Sequence, residues 1–135
     1  MAKKNFKDLC KLAAILRSPK GCPWDRKQTI LSMMEHIQEE SEEVCQAIKN
    51  ADNENLKEEL GDVIFQIVMI AQIAKENGHF DMNDVVSGIY KKIYSRHTWV
   101  FGKDKAKTPE EAKEMWLKNK AIEKAKKSNR SKKAK

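Results

Sequence analysis

Glycine and proline are scarce in this chain, with five and three among 135 residues. An architecture of many short strands needs turn residues at close intervals, so the shortage argues for helices. The three cysteines, Cys10, Cys22 and Cys45, are odd in number and lack the paired spacing of a thiolate metal site. A reduced, cytoplasmic protein is the simplest expectation from them. Long hydrophobic runs are also missing. The best candidate, VIFQIVMIAQIA (63–74), contains Gln66 and Gln72 and is too short to span a bilayer, so no membrane association is expected. The opening MAKKNFKDLCKLAAIL is amphipathic, with too short an apolar run for a signal peptide. No G-x-x-x-x-G-K-[ST] loop, no G-x-G-x-x-G turn and no nucleophile–base arrangement is present. A di-iron carboxylate bundle needs Glu-x-x-His on two helices. Glu76-Asn77-Gly78-His79 is a single instance, and Gly78 takes His79 out of the helix.

What the chain has is charge: 35% charged against 40% hydrophobic residues, in a length that suits one domain. The net +7 is unevenly placed. Residues 1–102 carry 14 basic and 15 acidic side chains, whereas 103–135 carry 13 and 5. A nearly neutral helical domain over 1–102 is therefore expected to be followed by a C-terminal helix and basic tail over 103–135. Such a tail can hold nucleic acid weakly and in a salt-dependent manner, or be only a solvated end.

Apolar spacing predicts a short helix over 5–17, from Phe6, Leu9, Ala13 and Leu16. Arg17–Pro23 reads as a loop, and Trp24 behind it is either a plug for the core or a cover for a nucleobase. Helices follow over about Gln28–Asn50 and Glu54–Asn77, the second stopped by Asn77-Gly78. Asp81 or Asn83 is expected to cap a fourth helix, and Thr98–Asp104 to be a loop. Thr108-Pro109-Glu110-Glu111 reads as cap, first-turn proline and acidic first turn of a last helix that dissolves into the lysine-rich tail. The expected fold is all-α, an antiparallel bundle of about four to five helices completed by oligomerisation.

The chemistry is concentrated between Met34 and Asp62. Glu40 and Glu43 are three apart on one helix, and Glu59 and Asp62 three apart on the next. Side chains at that spacing are neighbours. At about 100° per residue each pair flanks its helix's apolar arc, made by Ile30, Met33, Met34, Ile37, Val44 and Ile48 on one side and by Leu56, Leu60, Val63, Ile64, Ile67, Ile70, Ala71 and Ala74 on the other. A short break over 50–55 folds the helices back on each other, and four carboxylates then converge. That arrangement strains a fold and suits a hard divalent cation. On one helix alone, acidic residues would more simply make a soluble face. Lys92 and Arg96, four apart at the end of the fourth helix, could hold phosphate or merely favour the helix dipole. His97 reads as a capping or hydrogen-bonded histidine. Trp116 and Lys120 have the same spacing and the same two readings.

These residues resemble the MazG-type nucleoside triphosphate pyrophosphohydrolases of the all-α NTP pyrophosphatase group. The resemblance covers about Leu16 to Gly102 and rests on GCPWDRKQT (21–29), EESEE (39–43), EELGDVIFQIV (58–68), GHFD (78–81) and RHTWVFG (96–102). It implies Mg²⁺-dependent hydrolysis of (d)NTPs to monophosphate and pyrophosphate, with Mn²⁺ able to substitute, as part of nucleotide-pool cleaning. It makes Glu40, Glu43, Glu59 and Asp62 the metal ligands and Glu39 a neighbouring carboxylate suited to act as base. It makes Lys92, Arg96, Trp116 and Lys120 substrate contacts and implies a homodimer or larger assembly; Trp24, from its place behind the loop, is a further candidate contact. The family pattern R-R-H-P-H-V-F here reads Ser95-Arg96-His97-Thr98-Trp99-Val100-Phe101, so recognition there is expected to differ. The competing reading is a non-catalytic helical interaction module, or a nucleotide sensor, whose basic tail contacts nucleic acid.

Overall fold

Each long helix starts on a side chain that caps it. In this computed structural model, which describes residues 1–134 and side chains through 130, α1 (Phe6–Leu16) opens on a capping box. The Asn5 side chain accepts from the Asp8 amide at 3.0 Å, and the Asp8 carboxylate accepts from the Asn5 amide at 3.0 Å. Thr29 and Ser32 form the same reciprocal pair for α3 (Ile30–Lys49). Asp52 caps α4 (Asn53–Glu76), and Asp81 with Asp84 caps α5 (Met82–Arg96). Thr108 accepts from the Glu111 amide at 3.1 Å to start α7 (Pro109–Ala134), with Pro109 in the first turn. Asn77-Gly78 ends α4 as expected. Gly78 takes φ +76°, and the His79 amide donates back to the Ala74 carbonyl.

The fold is all-α, with no strand among the described residues. Two short helices stand where loops were expected. Pro23–Lys27 is a helix of five residues, α2, because Pro23 presets the first turn and Asp25 favours its positive end. Thr98–Phe101 is a single turn, α6, so the expected loop over 98–104 is helical at its start. The helix expected from Gln28 begins instead at Ile30, where the Thr29 cap puts it. The last helix does not dissolve after Ile122, since its backbone stays helical to Ala134.

Two compact units divide the chain, Met1–Val85 and Val86–Lys135, with the boundary inside α5. In the first, α3 and α4 pack as a hairpin and α1 packs on α4. The core is Ala13, Met33, Val68, Met69 and Ile73, surrounded by Leu9, Leu16, Phe65, Ile70 and Met82. Burying a Met, Val or Ile side chain contributes about 1.5–3 kcal/mol, so α4 supplies most of the glue. The apolar arcs are only partly covered. Met33 and Ala47 are buried on α3, but Ile30, Met34, Ile48, Leu60 and Ile64 remain exposed.

Arg17 fastens this unit. Its guanidinium pairs with Glu76 at 2.8 and 3.2 Å and also donates to the carbonyls of Asp25 and Gln28 at 2.6 and 2.7 Å. One cation thus closes the end of α1 onto α4 and holds the α2 turn. The Arg17 hydrogen bonds, ahead of other effects, hold the Glu76 carboxyl below the usual range.

Candidate metal centre

The α3–α4 hairpin turns on Ala51, which takes φ +52°. The Ala51 amide donates to the Ile48 carbonyl and the Asp52 amide to the Ala47 carbonyl, both at 3.1 Å. Counting outward from Ala51, Glu43 and Glu59 stand eight residues away on either side, and Glu40 and Asp62 eleven. An antiparallel hairpin places such equidistant residues opposite one another. Each of the four carboxylates offers an oxygen, and all four oxygens lie within 4.8 Å of one another. The four acidic residues singled out from sequence spacing therefore converge.

Electrostatics at this point are adverse in the bare protein. Oε2 of Glu40 and Oε2 of Glu59 are buried and accept no hydrogen bond. No lysine or arginine is ion-paired with any of the four among the described residues. The Glu59 carboxyl is pushed up to about 7, first by the Glu43 carboxyl close enough to hydrogen-bond it, then by burial and by the charges of Glu43 and Asp62. Glu40 is raised as well, mainly by burial and then by the charges of Asp62 and Glu43. Acceptor oxygens without donors, gathered from two helices, fit a divalent cation.

Glu39 precedes the cluster but is exposed and is not one of its four members. Trp24 does not plug the core, being 60% exposed at the start of α2. Its ring meets the His36 ring edge-on at 6.4 Å. Beneath them lies a cleft of about 110 Å³ whose lining includes Gln28, Met33, Phe65 and Gln66. Gln28 is buried and fixes the turn, with its amide donating to the Trp24 carbonyl at 3.1 Å and its Oε1 accepting from Ser32 at 2.7 Å.

Lys92, Arg96, Trp116 and Lys120 belong to the second unit. Arg96 and Lys120 both lie over the Trp116 ring, at 5.1 and 5.2 Å from its centroid. Arg96 is buried, and its Nε donates to Glu123 Oε2 at 2.9 Å. Ser95, then Arg96, holds the Glu123 carboxyl below its ordinary range. Lys92 is exposed. His97 Nδ1 is 2.6 Å from the Ile93 carbonyl, the hydrogen-bonded role read from the sequence. Sequence reasoning passed over Glu123, His36 and Gln28. Glu123 had a signal, as the one acidic residue after Glu114 in a run of lysines. His36 had none, because the Trp24 ring it meets belongs to another helix, and Gln28, whose partners Trp24 and Ser32 stand four residues either side, lies between two helices where no periodic pattern marks it.

The profile of the MazG nucleotide pyrophosphohydrolase domain matches residues 28–101. The chain belongs to this family. A relative from Thermotoga maritima, named nucleoside triphosphate pyrophosphohydrolase/pyrophosphatase MazG, is 42% identical over 124 residues, which are 92% of this chain and 47% of the relative. The nucleoside triphosphate pyrophosphohydrolase of Escherichia coli strain K12 is 41% identical over 117 residues, 86% of this chain and 44% of the relative. The chain thus spans less than half the length of these curated relatives. The crystal structure of a mazG-related protein from Thermotoga maritima aligns with TM-score 0.70 at 32% identity, covering 85% of this chain and 98% of that one. The MazG match encloses Glu39, the four clustered carboxylates, Lys92 and Arg96, while Trp24, Trp116 and Lys120 lie outside it.

Proposed function

We propose that the chain hydrolyses nucleoside triphosphates between the α- and β-phosphates, yielding monophosphate and pyrophosphate, with Mg²⁺ held by Glu40, Glu43, Glu59 and Asp62. The observation that carries this reading is the four-carboxylate cluster with two buried oxygens that accept nothing. A triphosphate bears about four negative charges at neutral pH, and carboxylates alone would repel it. The cation, when bound, reverses the local sign and polarises the phosphate oxygens it meets, and Mn²⁺ has the same ligand preference. The names of the Thermotoga and Escherichia coli relatives support the same reaction class.

The chain's own residues divide the remaining work. Glu39, exposed and adjacent to the cluster, is the proposed base that takes the proton of the attacking water. Trp24, exposed above its cleft and braced by His36, is a proposed cover for the base. Lys92, Arg96 and Lys120 are proposed to stabilise charge on the departing pyrophosphate, with Trp116 orienting two of them. The division into a MazG-like domain over 1–102 and a helix with basic tail over 103–135 belongs to this reading. So does a homodimer or larger assembly in the cytoplasm, supported by the uncovered Ile30, Met34, Leu60 and Ile64.

The test is product analysis with a panel of NTPs and dNTPs and Mg²⁺, run beside Glu40→Gln and Glu39→Gln. Monophosphate plus pyrophosphate, reduced at least 100-fold by Glu40→Gln, is the expected result. Diphosphate plus phosphate would overturn the bond assignment. Wild-type turnover in Glu39→Gln would remove that residue as base. No turnover with any nucleotide would overturn the enzyme.

A further inference from the structure

Arg96 has more donors than partners. Its side chain is only 10% exposed. A guanidinium carries five N–H donors, and Nε spends one of them on Glu123 Oε2 at 2.9 Å. Among the described residues neither Nη atom donates a hydrogen bond, so four donors stay unspent on a buried cation. Unpaired donors on a charged group away from water are costly. Such a fork suits a ligand that accepts several hydrogen bonds at once, as a phosphate does.

Glu123 keeps the fork unspent. A carboxylate beside an arginine commonly takes two parallel N–H bonds, one to each oxygen. Here the second oxygen is engaged elsewhere, since Glu123 Oε1 accepts from the Ser95 hydroxyl at 2.6 Å. Ser95 thus limits the pair to one point, at Nε, and leaves both Nη groups for another acceptor. The rest of α7 completes the clamp. Trp116, Asn119 and Glu123 follow one another at three and four residues, so they share a helix face. Arg96 Cζ lies 5.1 Å from the centre of the Trp116 ring. Asn119 donates to the Arg96 carbonyl and to Thr98 Oγ1, both at 2.9 Å. Side chain and main chain of Arg96 are therefore both fixed from α7, beyond the matched residues 28–101.

We infer that Glu123, together with Ser95, is a positioning residue, which anchors Arg96 by Nε alone and presents both Nη groups to a phosphate of the nucleotide. This role rests on the phosphate contact proposed above for Arg96. Charge by itself predicts the opposite of what positioning predicts. Glu123 is an acidic residue beside Lys92 and Arg96, so its removal makes the neighbourhood more positive. By Coulomb attraction alone that change tightens polyphosphate binding. Loss of aim weakens it.

The experiment is calorimetric titration of the full chain, with Mg²⁺, by the α,β-methylene analogues of ATP, GTP, CTP and UTP. The tightest of them is then used for the variants, and turnover of the matching nucleotide is measured beside it. Glu123→Ala is expected to raise the dissociation constant about 10-fold and to lower kcat/KM at least as much. In Glu123→Gln the carboxamide oxygen can accept from Nε while its NH₂ donates to the Ser95 oxygen, so affinity is expected to stay within about 3-fold of wild type. In an Arg96→Gln background Glu123→Ala is expected to add less than about 2-fold, because its effect runs through Arg96. Circular dichroism and thermal melts establish that each variant is folded at the assay temperature. Should Glu123→Ala not fold, Ser95→Ala carries the test. With Oε1 released, the carboxylate takes a second donor from Arg96, and the dissociation constant rises about 3-fold with no charge changed.

Unchanged or tighter binding in Glu123→Ala would overturn the role. Equal losses in Glu123→Ala and Glu123→Gln, a full further loss on Arg96→Gln, or wild-type affinity in Ser95→Ala would each do the same. So would absence of analogue binding to the wild-type chain. Analogue binding without turnover of any nucleotide would overturn the enzyme alone, and the dissociation constants would still decide the positioning.

Discussion

Glu43 and Glu59 face each other across the α3–α4 hairpin, eight residues either side of Ala51, with carboxyl oxygens inside the same 4.8 Å cluster. This opposition raises the Glu59 carboxyl to about 7 and leaves the hairpin under electrostatic load at neutral pH.

The load gives a pH dependence with a definite sign. A carboxyl whose folded pKa lies above its unfolded value binds more protons in the folded state, so stability falls as pH rises between the two. For Glu59 that window runs from about 4.5 to about 7. In EDTA the melting temperature is expected to fall from pH 5 to pH 7.5, and Glu59→Gln to remove much of the fall. Saturating Mg²⁺ should stabilise the wild-type chain at pH 7.5 and have little effect on Glu59→Gln. Thermal melts with and without metal at the two pH values check all three outcomes. A flat wild-type profile in EDTA would contradict the strain.

Arg17 is expected to matter more than its distance in sequence from the carboxylates suggests. Replacing it by Met leaves Glu76 without its partner and the Asp25 and Gln28 carbonyls without a donor. The expected cost is about 2–4 kcal/mol, read from urea unfolding. Arg17→Lys should recover less than half of it, because one ammonium cannot serve three elements in a fork geometry.

Ala51 is a place where the chain can be improved. A non-glycine residue at φ +52° is strained by its Cβ, and glycine is the usual residue after a helix in this conformation. Ala51→Gly is expected to stabilise the fold by about 0.5–1 kcal/mol with the carboxylate cluster intact. Chemical unfolding together with Mg²⁺ titration would show it. Lower stability in the variant would mean the turn is held by contacts of the Ala51 methyl.

Much of this was legible in the chain because the signals are local. Asp81 and Thr108, read as caps in the sequence, each mark a helix start by a side chain that reaches an amide three residues on, a pattern contained in four residues; Asn5, Thr29 and Asp52, not read there, cap in the same way. The equal three-residue offsets of Glu40/Glu43 and Glu59/Asp62 likewise survive folding, since one short turn relates them. What escaped depends on distant neighbours or on lengths below a helical period. Pro23–Lys27 and Thr98–Phe101 are too short to show periodicity. Arg17 meets Glu76 across 59 positions of sequence. Trp24 reads from its type as either a core plug or a cover for a nucleobase, and only the fold decides: the indole stays outside, over a cleft lined by Met33, Phe65 and Met69. The persistence of α7 beyond Ile122 could not be read from an apolar stripe, because none is present there.

The symmetry of the hairpin about Ala51 also constrains which insertions the chain can tolerate. One residue added between Asn50 and Asp52 would rotate α4 by about 100° relative to α3, or shift it along its axis by about 1.5 Å, and separate each carboxylate from its counterpart. The three residues of that turn touch no substrate in the proposed reaction, yet their number is as binding a requirement as the identity of Glu40 or Asp62. Length variation in the chain should therefore collect elsewhere, in the stretch between Gly102 and Thr108 first of all.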